Sequence, residues 1–204
     1  MIMNTGKLLL TSIGLSSENI AKRFQSFFTD PGNQSVAIVT TAAEGKEQNK
    51  YSQLAKKQFE EMRFTKIDFI DLETEPSKDF SSYGVIYVCG GNTFKLLKFA
   101  REANFQSSIN DLLKRNGVYV GVSAGSIIVG PSISIANEVE PDPNDIGLED
   151  FTGFNITHLI ILPHYSPEIE EETKAFEKKY GVIVERLNNS QATLLENGEK
   201  TIIE

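Results

Sequence analysis

The sequence is poor in the residues that cross-link a chain, span a membrane or grip a polyanion. It has one cysteine, Cys89, so no disulfide can form within the chain and the fold does not depend on an oxidising compartment. The longest apolar run near the N-terminus, Leu8-Leu9-Leu10, is too short for a signal-peptide core or a membrane span. Basic residues are outnumbered: 20 Lys and Arg against 28 Asp and Glu give a formal charge of −8. Nucleic-acid binders need a basic face, and anionic membranes attract one, so neither partner is expected. These absences together predict a cytoplasmic protein. Histidine is scarce too, with only His158 and His164 present, which narrows the choice of a general base.

What is present is an ordinary globular composition, 40% hydrophobic and 24% charged over 204 residues, enough to bury a core without staples. Strand-like and helix-like segments alternate. Residues 7–12, 35–40, 66–72, 84–89 and 117–122 read as strands. Between them lie a helix opened by Ser16-Ser17 with Ile20, Phe24, Phe27 and Phe28 on one face, and a second with Tyr51, Leu54, Ala55, Phe59 and Met62 as its apolar stripe. A further helix follows Thr93. Apolar strands separated by amphipathic helices predict an α/β fold, a mostly parallel sheet with helices on both faces.

The later third is less regular. Residues 156–163 form an apolar run ending in Pro163. Ser166-Pro167 with Glu168, Glu170 and Glu171 predicts a helix start. Residues 182–186, 191–195 and 200–203 predict short strands in an antiparallel edge, with a turn at Asn197-Gly198. The irregular stretch from Asn137 to Gly153 is rich in Glu, Asp and Pro, and loops of that length are often functional. It lacks a complete calcium-loop spacing, and neither a metal nor any cofactor is expected. With no linker, repeat or low-complexity tract, residues 1–204 read as one domain.

Gly121-Val122-Ser123-Ala124-Gly125 carries the strongest chemical signal. It follows a predicted strand and opens a helix-compatible segment, the context of a nucleophile elbow. Small neighbours let strand and helix approach while the turn lifts the serine hydroxyl out of the sheet. The same pattern also serves as a plain tight turn. Cys89-Gly90-Gly91-Asn92-Thr93 is a second strand-to-helix turn. In a parallel sheet both turns lie at the carboxyl ends of strands, where ligands collect. The amides of Gly91 and Ala124 then become candidates for an oxyanion hole. A serine nucleophile needs a base. His164, after Pro163 at the end of its run, is the better placed histidine, and His158, inside the run, reads as structural. Cys89, among apolar neighbours, reads as a buried small hydrophobe.

These residues together resemble the peptidase E family of serine peptidases, whose fold is like that of class I glutamine amidotransferase domains, a flavodoxin-like sandwich. Val88 to Leu97 resembles the family's Gly-Gly-Asn-Thr segment, residues 121–125 its nucleophile segment, and Pro163-His164-Tyr165 its Pro-His-Phe segment. The resemblance implies Ser123 as nucleophile and His164 as general base and acid. It also implies two departures. Asn137-Glu138 stands where the family has Asn-Asp, making Glu138 a candidate to orient His164. Asn189, in Leu187-Asn188-Asn189-Ser190, stands where a second family acid sits, and is the alternative. The family hydrolyses dipeptides with an N-terminal aspartate. Its Gly-Glu-Thr-Arg stretch is Glu171-Glu172-Thr173-Lys174 here, so strict aspartyl specificity is not expected. The implied partner is a short peptide. A catalytically weak binding homologue and a cyanophycinase-like or esterase hydrolase are the competing readings, and monomer and homodimer remain equally open.

Overall fold

A computed structural model describes residues 6–204. The first half runs β1 (Lys7–Thr11), α1 (Glu18–Gln25), β2 (Ser35–Val39), α2 (Lys50–Glu61), β3 (Lys66–Ile70), β4 (Val85–Val88), α3 (Thr93–Glu102), α4 (Phe105–Lys114) and β5 (Val118–Val122). It continues with α5 (Ala124–Ile127), α6 (Ile135–Glu138), β6 (Ile160–Leu162), α7 (Glu170–Tyr180), β7 (Val184–Arg186), β8 (Ala192–Glu196) and β9 (Glu199–Ile203).

Seven strands form one sheet in the order β3-β2-β4-β5-β1-β8-β9. The pairs from β3 to β1 are parallel, and β8 and β9 add antiparallel strands at one edge. Alternation along the central strands sends successive side chains to opposite faces. Leu9, Val36, Ile38, Val120 and Val122 join α1 and α2 on one face. Leu8, Leu10, Val39, Ile86, Val88 and Tyr119 join α3, α4 and α5 on the other. Helices therefore cover both faces, as the strand composition predicts.

Four expectations need correction. Helix α1 ends at Gln25, so Phe27 and Phe28 sit in the following turn, where Phe24 still packs against both rings. Helix α2 buries Ser52, Ala55 and Phe59, but Tyr51 and Leu54 stay exposed. Ser166-Pro167 opens a short 3-10 turn over Pro167–Ile169, and α7 starts only at Glu170. Residues 182–186 do not join the antiparallel edge: β7 pairs in parallel with β6 in a separate two-stranded sheet. The β8–β9 hairpin forms as expected, with Asn197 (φ 53°) and Gly198 (φ 80°) both in the left-handed region its turn requires.

Candidate active site

The registers Val88↔Gly121 and Thr11↔Val122 level the carboxyl ends of β4, β5 and β1. Ser123 sits at that edge. It is the only residue between β5 and α5, with φ 49° and ψ −109°, a conformation costing a non-glycine residue about 1–3 kcal/mol. Packing holds it there. A Cβ on Gly121 would come within 2.6 Å of the Gly125 carbonyl oxygen, and one on Gly125 within 2.7 Å of the Val88 carbonyl oxygen. Both glycines are required by the close approach of strand, helix and neighbouring strand.

Behind the turn lies a buried polar web. The Ser123 N–H donates to Thr11 O at 2.9 Å. The Ser126 hydroxyl lies 2.8 Å from Thr11 O and 2.9 Å from Gly121 O as donor, and accepts the Thr11 N–H at 2.9 Å. The Thr11 hydroxyl donates to Gly121 O at 2.9 Å. These bonds tie the elbow to β1, its parallel neighbour on the side away from β4.

The Gly90-Gly91 turn lies against the elbow: a Cβ on Gly90 would stand 3.0 Å from Ser123 Cβ. Gly91 has φ 134°, and a Cβ there would reach 2.1 Å from Ala42 O, so no side chain fits. Asn92 caps α3 by accepting the Lys95 N–H at 2.8 Å. Ala124 is the first residue of α5, so its N–H has no acceptor within the helix.

The histidine arrives from the small sheet. Beyond the paired Ile160–Leu162 and Val184–Arg186, the Leu187 N–H donates to Leu162 O and the Tyr165 N–H to Leu187 O, each at 3.0 Å. The two strands leave this ladder side by side, one carrying His164 and the other Asn189. His164 Nδ1 is 2.9 Å from Asn189 Oδ1. With the amide oxygen facing it, Nδ1 donates, so the neutral ring presents the Nε2 lone pair. Asn188 shapes the loop, its side chain accepting the Ser190 N–H and hydroxyl at 2.8 Å.

Ser12, buried at the end of β1, links the two halves. Its hydroxyl accepts the His164 N–H at 3.0 Å and lies 2.9 Å from Leu187 O and 3.1 Å from Asn188 O as donor. The neighbouring Thr11 carbonyl holds the Ser123 N–H. Ser12 went unremarked in the sequence, and its only signal there is a hydroxyl at the carboxyl end of an apolar strand.

Glu138 lies elsewhere. Its carboxylate takes the Lys179 ammonium at 2.8 Å and the Tyr180 hydroxyl, both from α7. Those two bonds hold its pKa below the ordinary carboxylate value. Between the two candidates for orienting His164, the geometry joins Asn189 to the ring and Glu138 to α7. His158 is exposed in a bend before β6 rather than buried in a strand. Lys174 pairs with Glu170 and Glu171 on the surface of α7. Cys89 is buried, and burial pushes its thiol pKa up to about 11 despite the contact with Ser52, which leaves it protonated and unreactive.

Gly91, Ser123 and His164 line two cavities that meet at them. One, of about 390 Å³, is bordered by Glu140 and Asp142 of the acidic loop and by Ile127, Ile135 and Leu162. That loop is tied down: Asp142 accepts the Thr93 N–H at 2.8 Å, the Asn92 amide donates to Pro143 O at 2.6 Å, and Arg101 pairs with Asp150 at 3.1 Å. The other cavity, of about 530 Å³, runs toward α2. Among the described residues, no Lys or Arg lines either one. Nor do three or more His, Cys, Asp or Glu side chains converge there as a metal site would require. The described hydrogen bonds include none between the Ser123 hydroxyl and the His164 ring; unliganded sites commonly close that contact only with substrate bound.

A model of peptidase family S51 matches residues 8–204. The chain belongs to that family. It is 29% identical over 203 residues to an uncharacterized peptidase of Pasteurella multocida (strain Pm70), covering 96% of each chain. It is 34% identical over 101 residues to the peptidase E of Escherichia coli O1:K1 / APEC, covering 49% of this chain and 42% of that one. Among solved structures, a candidate peptidase E from Listeria monocytogenes EGD-e superposes with a TM-score of 0.79 at 24% identity, covering 97% of each chain. A peptidase from an acI-B1 Actinobacterium superposes with a TM-score of 0.67 at 15% identity, covering 98% of this chain and 87% of that one. The likeness to a peptidase E fold drawn from residues 88–97, 121–125 and 163–165 thus holds for the S51 chain as a whole. No described helix is long and apolar enough to cross a membrane.

Proposed function

We propose that this S51 peptidase is a serine-type exopeptidase that cleaves short peptides through an acyl-enzyme on Ser123. The single observation that carries the reading is the 2.9 Å bond from His164 Nδ1 to Asn189 Oδ1 beside a strained serine elbow in one cleft. That bond sets the tautomer a general base needs. His164 Nε2 takes the Ser123 hydroxyl proton as Oγ bonds to the peptide carbonyl carbon. The oxyanion forms against the amides of Gly91 and Ala124. The C–N bond then breaks, and the amine leaves with the proton from the imidazolium. Water, deprotonated by the same nitrogen, attacks the ester and releases the acid and Ser123.

Asn189 fixes the ring without a negative charge to stabilise the imidazolium, so the rate should fall below that of a carboxylate triad. Glu140 and Asp142 in the lining of the smaller cavity suit a substrate ammonium group, which favours exopeptidase action. No cation stands ready for an aspartate side chain, so N-terminal aspartate is not the preferred residue.

A fluorophosphonate should modify the wild-type protein at Ser123, found by peptide mass mapping, and dipeptides should be turned over. Absence of labelling and of turnover would make this a binding protein on a peptidase scaffold. Turnover of simple esters with no dipeptide cleaved would make it an esterase.

A further inference from the structure

Helix α2 has two working faces. Ser52, Ala55 and Phe59 face the core. Tyr51, Leu54 and Gln58, at i, i+3 and i+7, share the flank next to it, and all three line the larger cavity. Tyr51 is 66% exposed and Leu54 43%, and Ile13 across the cavity is 40% exposed. These are three of the large apolar side chains the fold leaves uncovered, and they converge on one opening. Buried Tyr87 and Val122 form part of its lining, which ends at Gly90, Gly91, Ser123 and His164.

The two cavities therefore differ in chemistry on either side of one serine. The smaller has two carboxylates, Glu140 and Asp142, in its lining, whereas the larger is lined mainly by apolar side chains, with Glu44 its one carboxylate and Asn49 and Gln58 among its polar groups. Its volume of about 530 Å³ falls in the range of ordinary ligand pockets, ample for one large amino-acid side chain.

Resting on the serine-peptidase reading above, we infer that the larger cavity is the subsite for the residue after the scissile bond. It selects peptides whose second residue is large and apolar. With the α-ammonium group of the first residue at Glu140 and Asp142, the scissile carbonyl lies over Ser123 and the departing amino acid extends toward Leu54. Transfer of a leucine-sized side chain from water onto Ile13, Tyr51 and Leu54 is favourable. An aspartate there adds a second carboxylate to the α-carboxylate that every dipeptide carries, in a cavity lined by Glu44 and by no Lys or Arg among the described residues, and so loses hydration without gaining a partner.

The test is a dipeptide series with a constant first residue: alanyl-glycine, alanyl-leucine, alanyl-phenylalanine and alanyl-aspartate. All give the same alanyl-enzyme, so the second residue acts only up to departure of the amine. The expected kcat/KM rises roughly 10- to 100-fold from glycine to leucine or phenylalanine, and aspartate falls below glycine. Leu54→Asp should collapse the leucine-to-glycine ratio toward one, and exposure of Leu54 leaves folding intact. In Ser123→Ala, calorimetry should show alanyl-leucine binding more tightly than alanyl-glycine by a similar factor. A flat series on an enzyme that cleaves these peptides and labels at Ser123 overturns the subsite alone and leaves the peptidase reading standing. Neither labelling nor cleavage overturns both. If light scattering shows a wild-type dimer that Leu54→Asp converts to monomer, a second copy covers this face and the subsite is overturned.

Discussion

The two partners proposed for catalysis are held by unlike parts of the molecule. Ser123 stands on a buried elbow. Its backbone is strained, its flanking glycines admit no side chain, and a web through Thr11 and Ser126 fixes it to the central sheet. His164 and Asn189 stand on the rim, carried by a ladder of only two short strands and joined to the sheet through the Ser12 hydroxyl. The nucleophile is therefore positioned by the same interactions that stabilise the fold, whereas the base is positioned by a few local hydrogen bonds. Damage on the first side should cost structure, and damage on the second should cost rate.

Breaking that comparison at the reacting atom should have the largest effect. Ser123→Ala should lower kcat for dipeptides by about 10,000-fold or more while the melting temperature holds or rises, since the hydroxyl itself takes no part in the web. Wild-type turnover in that variant would remove Ser123 from the mechanism. Asn189→Ala should lower kcat about 10- to 1,000-fold, within the range seen when ring orientation is lost, with an unchanged melting temperature. Asn189→Asp, which keeps the acceptor and adds charge, should instead raise kcat. A lower kcat for Asp than for Ala would show that Asn189 does not orient the ring.

Two changes sharpen the contrast between structure and rate. Ser126→Ala leaves the buried Thr11 N–H without its acceptor and should cost about 1–3 kcal/mol in chemical denaturation, the expected signature of the elbow side. Ser12→Ala should cost no more than that, yet lower kcat several-fold with little change in KM, because it loosens both His164 and the Asn189 loop. If Ser12→Ala lost only stability, the link drawn between β1 and the base would be structural alone.

The smallest effect is expected at Glu138. Lys179 and Tyr180 depress its folded pKa, so its contribution is present above the unfolded carboxylate pKa and disappears as pH falls through the folded value. Glu138→Gln should destabilise by roughly 0.2–1 kcal/mol near pH 7, as for a largely exposed pair. The gap should close below the folded pKa, and kcat should stay near wild type. A large loss of kcat would return Glu138 to the catalytic group.

Much of the parallel half was legible in the sequence because strands buried on both faces read as apolar runs. Residues 7–12, 35–40, 84–89 and 117–122 could be placed without coordinates, and the elbow and the Gly90-Gly91 turn followed from them. Helix α2 was half read: a stripe of apolar residues marks a helix, but periodicity does not distinguish a face covered by the core from a flank opening onto a cavity. Tyr51 and Leu54 fell on the wrong side of that line. The C-terminal third resisted for a related reason. Val184–Arg186 is too short and polar to announce its partner, and only pairing with Ile160–Leu162 sets His164 beside Asn189.

By itself the sequence determined which atoms could do chemistry here: one serine between glycines at a strand end, and one well-placed imidazole in a chain with two. It also determined the parallel sheet that raises the serine to its carboxyl edge, because burial pattern and turn chemistry are local. Only the tertiary structure decided whether an amide or a carboxylate meets that imidazole, and which apolar side chains face a cavity rather than the core. Those outcomes depend on contacts between distant segments, and neither periodicity nor spacing encodes which of several acceptors a folded loop will bring within 2.9 Å of Nδ1.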